Sequence, residues 1–235
     1  MQSIITGFDN AMEVAKGALS AVFEPMKVFF DIFSNFWLGA ALIIVVFMIF
    51  LASNIVRYGA AFSKLIKRPQ TLAICSMMIA INVILGYFTL NFSSYLRIGF
   101  GFITLPVVTM LFGPIAGCIT GILQDLVSFM LKPTGGYLFT LTLNVGISGM
   151  IYGAMLYKKK ITFARVFVTK LIIIVVVNII LNSIGLAPTV GSGLAGILPS
   201  RVIKNIILLP VQSVVVYAIL KTVNARVKHR VGTAG

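Results

Sequence analysis

Charged residues are scarce in this sequence, and their scarcity excludes most soluble folds. Only 10% of the 235 residues are charged, whereas 59% are hydrophobic. A typical soluble domain has about 25% charged and roughly 45–50% apolar residues. The mean hydropathy is +1.07. A chain of this composition cannot present a charged surface to water on all sides, so we predict an all-α integral membrane protein.

Side chains that carry enzyme chemistry or bind metals are equally scarce. The single histidine, His229, lies in the basic C-terminal tail, and Cys75 and Cys118 lie in apolar runs without a C-x-x-C spacing. One imidazole cannot form a histidine cluster for a metal. Asp125 is the only acidic residue after Gln70. We therefore expect no metal site, no cofactor and no catalytic residue, and we predict that the protein is not an enzyme.

The sequence also lacks a phosphate-binding loop of the G-x-x-x-x-G-K-[ST] type, which nucleotide-driven proteins use to hold phosphates. Any active transport by this chain therefore needs energy from a partner. The net charge of +14 is compatible with nucleic acid binding. In so apolar a chain, however, it indicates basic loops on the cytoplasmic side of a membrane, and we expect no nucleic acid partner.

Long uncharged stretches predict seven membrane-spanning helices, because one span needs roughly 20 apolar residues. Gly113-Pro114 divides one stretch into two helices, since proline cannot continue the hydrogen bonding of the helix before it. The predicted helices cover residues 32–56, 71–88, 99–112, 115–131, 138–157, 163–185 and 196–220.

The distribution of cations predicts the orientation of these helices. Most lysines and arginines lie on one side of the predicted spans, and the positive-inside rule makes this side cytoplasmic. Seven spans then place the C-terminus inside and the N-terminus outside. Thirteen of the 19 cations form this cytoplasmic group, namely Arg57, Lys64, Lys67, Arg68, Lys158, Lys159, Lys160, Arg165, Lys170, Lys221, Arg226, Lys228 and Arg230.

The predicted helices divide the chain into four segments. Residues 1–31 carry four acids and two lysines, a net charge of 2 − 4 = −2, and their apolar residues recur at helical spacing. We predict an amphipathic segment on the outer membrane surface, with a disordered tail or docking on a partner as the alternatives. Residues 32–68 form an additional N-terminal helix and a basic cytoplasmic linker. Residues 69–222 form a six-helix domain, and residues 223–235 form a basic cytoplasmic tail.

Four cations remain on the outer side, where each borders an apolar span. A charge in lipid is expensive, so such residues either snorkel to the interface or face a cavity. Only Asp125 is available to neutralise them, and it pairs either with one of them or with paired N–H donors of a ligand. The imbalance predicts an anionic ligand that carries carboxylates or phosphates. The four cations are Arg97, Lys132, Arg201 and Lys204.

Aromatic, amide and small residues give further expectations. Tyr137 and Phe139 lie on the same outer side, where they form an interfacial belt or stack on a flat ligand. Asn178 and Asn182 lie within a span, where an amide bridges helices or contacts ligand, and we favour bridging.

Small residues permit close approach of helices. They form one row on each of two predicted helices (Gly113, Gly117, Gly121; Gly149, Gly153) and a face on a third (Ala73, Ser76, Ala80).

Four sequence blocks occur in a characteristic order. They are YLRIGFGF at 95–102, LFGP at 111–114, LKPTGGY at 131–137 followed by LTL at 141–143 and IYG at 151–153, and SRVIKN at 200–205 with LPVQ at 209–212. Over residues 69–222, these blocks resemble the folate-specific S components of energy-coupling factor (ECF) vitamin transporters.

The resemblance implies a six-helix membrane subunit that binds its vitamin in an outward-facing pocket, which the loops at residues 88–97 and 131–138 close. It implies no ATPase in this chain, and it implies association with a transmembrane coupling subunit and two cytoplasmic ATP-binding subunits. In this family an A-x-x-x-A pattern on the first helix contacts the coupling subunit. Ser76 and Ala80 occupy the two positions of that pattern, with Ala73 one turn earlier. Serine replaces one alanine, which should still permit close approach.

The resemblance also ranks the candidate ligand contacts, with Arg97 first and Asn205 second. Folate, which joins an aromatic pterin to a dicarboxylate tail, fits the pattern of charges. An S component for another vitamin is the alternative, because Leu138-Phe139-Thr140 departs from the family's usual Phe-Pro-Gly-Phe. Residues 1–56 lie outside the family pattern, and a capping role, a docking surface or an anchor are all open for them. The full set of candidate substrate-binding residues is Arg97, Asn205, Lys132, Tyr137, Phe139, Asp125, Arg201 and Lys204.

Overall fold

A computed structural model of the chain describes residues 36–87, 89–91, 97–131, 137–186 and 193–232. The predicted amphipathic segment at residues 1–31 lies outside the described residues. Within the described ranges, the chain forms seven helices and one short hairpin, so the predicted all-α membrane fold is confirmed. The helices are α1 (Phe36–Ile66), α2 (Pro69–Tyr87), α3 (Thr104–Phe112), α4 (Pro114–Leu131), α5 (Phe139–Leu156), α6 (Phe163–Leu186) and α7 (Gly193–Gly232).

Six of these helices are long and apolar enough to cross a membrane. The seventh apolar helix, Gly101–Phe112, includes α3 and is shorter. At a rise of about 1.5 Å per residue, its length is roughly 18 Å, against about 30 Å for the hydrocarbon core. The chain is therefore a multi-pass membrane protein in which α3 alone crosses only part of the core.

A two-stranded antiparallel hairpin lies between α2 and α3. Strand β1 (Thr89–Asn91) pairs with β2 (Arg97–Gly99), with Asn91 opposite Arg97. The backbone N–H and C=O groups of the two strands bond to each other, so this segment needs no helix to satisfy them. Backbone that is buried or faces the membrane must have such partners. We call this end of the bundle the hairpin end. The opposite end, where Gly113 and Tyr157 lie side by side just before Lys158–Lys160, is the basic end.

The predicted break at Gly113-Pro114 is confirmed. Gly113 has a φ of +91°, which side-chain-bearing residues rarely adopt, and its N–H donates to the carbonyl of Thr109 over 3.0 Å. α4 then begins at Pro114, where the missing N–H of proline costs nothing because a first-turn N–H has no partner within the helix. The turn reverses the chain, so α3 and α4 lie antiparallel and both contribute to the core.

Helix α5 forms the centre of the bundle and packs closely on α4. A methyl group at Gly149 would overlap the carbonyl oxygen of Gly117, and one at Gly153 would overlap the backbone of Pro114. The predicted glycine rows therefore form the contact between α4 and α5. The additional helix α1 packs beside α5 and α6, with Ile43 fully buried. Side chains from six helices share this core, including Ile43, Leu105, Cys118, Ile147, Met150, Leu156, Val166, Val177 and Val216.

Candidate ligand-binding cavity

A cavity of about 580 Å³ lies inside the bundle. Its volume falls in the range of roughly 300–1,000 Å³ that is typical of small-molecule sites. Residues from α2, the 3₁₀ turn Phe100–Ile103 and α3 to α7 line it. Apolar groups such as Phe102 and Leu105 are interspersed with many polar ones. The polar lining residues are Asn82, Gln124, Asp125, Ser128, Ser148, Tyr152, Lys170, Asn178, Asn182, Lys204, Asn205 and Gln212.

Two side-chain amides hold one wall of the cavity in place. The Nδ2 atom of Asn82 donates to the carbonyl of Gly101 and to Oγ1 of Thr104, each over 2.8 Å. The Nε2 atom of Gln124 donates to the same threonine oxygen over 2.9 Å and to the carbonyl of Met78 over 3.4 Å. These bonds tie the 3₁₀ turn and the start of α3 to α2 and α4. Because the N–H groups of both amides are used in this way, their carbonyl oxygens are the groups left to accept hydrogen bonds from a ligand.

Asp125 lies on the same wall and is oriented by Thr142 of α5. Oγ1 of Thr142 donates to Oδ2 of Asp125 over 2.6 Å, and the hydroxyl of Tyr137 lies 2.8 Å from that same threonine oxygen. The ring of Tyr137 packs against Phe129 with a centroid distance of 5.1 Å. A carboxylate fixed by one of its oxygens keeps the other oxygen for a ligand with N–H donors.

A series of amide hydrogen bonds joins three helices beside the cavity. Asn144 donates to Asn182 over 2.8 Å, Asn182 to Asn178 over 3.4 Å, and Asn178 to Asn205 over 3.5 Å. The series runs from α5 through α6 to α7, so the predicted helix-bridging role of Asn178 and Asn182 is confirmed. Helix α6 is π-helical over Ile173–Leu181, and such widened turns are frequent at functional sites.

Lys170 of α6 is a buried cation in the cavity wall. Its side chain is 5% exposed, and its Nζ atom donates to the hydroxyl of Tyr152 over 3.2 Å. The Nζ atom also lies 5.2 Å from the ring centroid of Phe102, within the range of a cation–π contact. Within the described part of the chain, no carboxylate forms an ion pair with it.

The structure brings some of the predicted substrate-binding residues together and leaves others apart. Asp125, Lys204 and Asn205 line the cavity. Tyr137 is exposed and reaches the cavity indirectly, through Thr142 and Asp125. Phe139 is exposed at the first residue of α5 and does not line the cavity.

The remaining three candidates are described only in part. The backbone of Arg97 lies in β2, directly before the 3₁₀ turn that lines the cavity, and the backbone of Arg201 lies in α7, three residues before Lys204. The side chains of both arginines, and the whole of Lys132, lie outside the described residues.

The predicted small-residue face lies on the surface of the chain. Ala73, Ser76 and Ala80 of α2 are all exposed, and Thr71 is the one buried residue of this helix. This face therefore does not pack within the described part of the chain, and it is open to lipid or to another subunit.

The assignment of Lys170 to the cytoplasmic cations is wrong, because the side chain is buried in the cavity wall. It lies seven residues after Phe163, about 10 Å into α6 at 1.5 Å per residue. A cation two turns inside an apolar helix was the signal that could have revealed it. Sequence reasoning also missed Asn82, Gln124 and Tyr152, which carry no pattern that distinguishes them from packing residues.

Comparison with known proteins gives consistent results. Residues 70–220 match the family described as ECF transporter, substrate-specific component. A protein of Clostridium novyi (strain NT) named folate transporter FolT is 31% identical over 158 residues, which cover 67% of this chain and 92% of that relative. A protein of the same name from Leuconostoc mesenteroides subsp. mesenteroides is 30% identical over 166 residues, covering 68% of this chain and 88% of the relative.

A solved structure agrees with these relatives. It is described as the crystal structure of FolT bound with folic acid, and it has a TM-score of 0.60 and 32% sequence identity to this chain. The similarity covers 66% of this chain and 95% of the other. The family match begins at residue 70, so α1 precedes the part of the chain that the family shares.

Proposed function

The chain belongs to the substrate-specific components of ECF transporters, and we propose that its central cavity binds folate. The observation that supports this most directly is the polar lining of a cavity enclosed by membrane-spanning helices. Polar groups at such a depth are expensive, and they characteristically mark a substrate site. The 32% identity to a FolT solved with folic acid points to folate as the substrate.

We place the pterin ring in the interior of the cavity. The pyrimidine edge of a pterin presents the N–H donors of its 2-amino group and of N3. The carbonyl oxygens of Asn82 and Gln124 and the carboxylate of Asp125 are acceptors on one wall. Acceptors fixed by the protein can meet these donors without reorganisation, which favours binding.

We place the dicarboxylate tail of folate toward the hairpin end. Lys204 lines the cavity on α7, and three further cations occur in the adjoining segments of the sequence. Arg97 is the leading candidate, because a guanidinium can donate two parallel hydrogen bonds to one carboxylate. Lys132 and Arg201 complete the group. The loops at residues 88–97 and 131–138 then close over the bound vitamin.

We propose that folate uptake depends on partner subunits. With the hairpin end outside and the basic end in the cytoplasm, as the positive-inside rule requires, the cavity faces outward in the bacterial plasma membrane. The exposed face formed by Ala73, Ser76 and Ala80 is suited to close packing against a transmembrane coupling subunit. Two cytoplasmic ATP-binding subunits then supply the energy for release of folate inside.

A panel of vitamins tests the substrate. The purified full chain is heated in detergent with folic acid, thiamine, riboflavin or biotin, because a ligand that binds only the folded state raises the unfolding temperature. We expect a rise with folic acid alone. A rise with another vitamin and none with folic acid would assign the chain to the alternative, an S component for a different substrate.

A further inference from the structure

The buried ammonium group of Lys170 retains hydrogen-bonding capacity that the described residues do not use. Nζ carries three N–H donors, and one of them points to the hydroxyl of Tyr152. Burying an ammonium is costly unless it is paired and hydrogen-bonded. A neutral hydroxyl and the ring of Phe102 compensate this cost only in part. A ligand acceptor in the cavity would supply the missing partner.

The position of Lys170 indicates which part of a ligand it meets. Lys170 is seven residues from the start of α6, and Tyr152 is four residues from the end of α5. Both helix ends lie at the basic end of the bundle. Lys204, in contrast, lies on the part of α7 near the hairpin end. Among the residues that line the cavity, Lys170 therefore lies nearer the basic end than Lys204 does.

We propose that Lys170 recognises the oxo group at position 4 of the pterin and so makes the cavity selective for 4-oxopteridines over 4-aminopteridines. The inference rests on the proposed function, because it takes the ring of folate to occupy the inner end of the cavity. A carbonyl oxygen accepts a hydrogen bond from the ammonium. An amino group at the same position presents N–H donors to a group that is itself only a donor, so neither is satisfied.

Tyr152 and Phe102 position the ammonium for this contact. The tyrosine hydroxyl accepts from Nζ over 3.2 Å, and the ring centroid of Phe102 lies 5.2 Å from Nζ. The side chain of Lys170 is thereby held in place before the ligand arrives, and a preorganised donor loses little freedom when it binds. A ligand with a 4-amino group is then disfavoured, because its N–H donors face the N–H donors of Lys170 and neither group finds an acceptor.

Folic acid and aminopterin test the proposal, because aminopterin carries an amino group where folic acid carries the oxo group at position 4, and as a consequence it has no N–H at N3. Each is titrated into the purified full chain in detergent. We expect the wild-type protein to prefer folic acid by at least about tenfold, the effect typical of a hydrogen bond to a charged group. In Lys170→Met, which keeps the length of the side chain but removes its donors, folic acid should bind at least about tenfold more weakly. The preference should therefore fall by about tenfold from its wild-type value, because aminopterin has no favourable contact with Lys170 to lose. Any preference that remains comes from the N3–H donor, which aminopterin lacks.

Two further variants complete the test, one as a second substitution of Lys170 and one as a control outside the cavity. Lys170→Gln is neutral and its amide can donate or accept, so it should show the same reduction of the preference, and it serves if the methionine variant does not fold. Lys160→Met removes an exposed lysine at the basic end, outside the cavity, and should retain both affinities. Unfolding temperatures without ligand report whether each variant is folded.

Each outcome has one interpretation. A fall of about tenfold in the preference in the Lys170 variants, with the Lys160 variant unchanged, supports the proposal. A preference of wild-type size in the Lys170 variants, or equal affinity of the wild type for the two ligands, would overturn it and leave Lys170 a packing role. Failure of the wild type to bind either ligand would instead refute the proposed function.

Discussion

Thr142 donates its hydroxyl proton to Asp125 over 2.6 Å, and the hydroxyl of Tyr137 lies 2.8 Å from the same threonine oxygen. Because Thr142 has one proton to donate, Tyr137 must be the donor in the second bond. The three residues thus connect the carboxylate in the cavity wall with the segment that leads into α5 at the hairpin end. A ligand that engages Asp125 is therefore linked directly to the loop proposed to close over it.

Asp125 should contribute to affinity through its charge. We expect Asp125→Asn to weaken folic acid binding by about tenfold or more, because a hydrogen bond to a charged group is replaced by one to a neutral amide. Titration calorimetry measures the change. Thr142→Val is the matched control, since it removes the orienting hydroxyl but keeps the carboxylate, and it should cost less. Equal affinity of Asp125→Asn and wild type would show that the carboxylate does not contact the ligand.

Arg97 should hold the carboxylate tail of folate. We expect Arg97→Ala to weaken binding by about 2 kcal/mol or more, as removal of a charged hydrogen-bonding partner does. Arg226→Ala, which removes an exposed arginine of α7 at the basic end, should leave the affinity unchanged. An equilibrium titration with the same affinity for Arg97→Ala and wild type would discard the proposed role of Arg97.

The contact between α4 and α5 should tolerate no added methyl group. Gly153→Ala places a methyl group against the backbone of Pro114, and overpacking of this kind costs about 1–3 kcal/mol of unfolding free energy. Gly86→Ala is the control, because no atom lies within 4 Å of the added carbon. Thermal unfolding in detergent should show a loss for Gly153→Ala alone. Equal unfolding temperatures would mean that the two helices do not pack as closely as described.

The small face of α2 should be needed for coupling but not for binding. We expect Ser76→Trp to keep the wild-type affinity for folic acid, because the side chain of Ser76 is exposed and does not line the cavity. It should abolish co-purification with a coupling subunit, since a large side chain prevents close helix approach.

Val214→Trp, at an exposed position on α7, is the matched control and should still co-purify with the coupling subunit. Retention of the coupling subunit by Ser76→Trp would move the proposed docking surface away from α2.

The sequence predicts the helices of this protein well because the signals are local. Charged residues cannot lie in lipid without cost, and Gly113-Pro114 cannot continue a helix. These two effects place most helix bounds within a few residues of those in the structure, as for α4 at Pro114–Leu131. The exceptions are α1 and α7, which continue past the predicted ends at residues 56 and 220 to Ile66 and Gly232. The hairpin was not predicted, because three-residue strands such as Thr89–Asn91 are defined by their pairing partner and carry no periodic pattern.

The cavity was only partly predictable, because its wall forms from residues far apart in the chain. Asp125 and Asn205 stood out as polar residues in or beside apolar spans. Lys170 was assigned to the cytoplasm because it follows a group of basic residues in sequence, whereas the structure turns it inward. Asn82 and Gln124 acquire their role through Thr104, a contact that only tertiary packing creates.

The most direct test of folate capture by this chain is a calorimetric titration of folic acid into the purified full chain without any partner subunit. We expect saturable binding of one folic acid per chain with a dissociation constant in or below the micromolar range, which corresponds to a binding free energy of about −8 kcal/mol or stronger. Absence of saturable binding in a folded, monodisperse sample would show that the chain does not capture folate by itself.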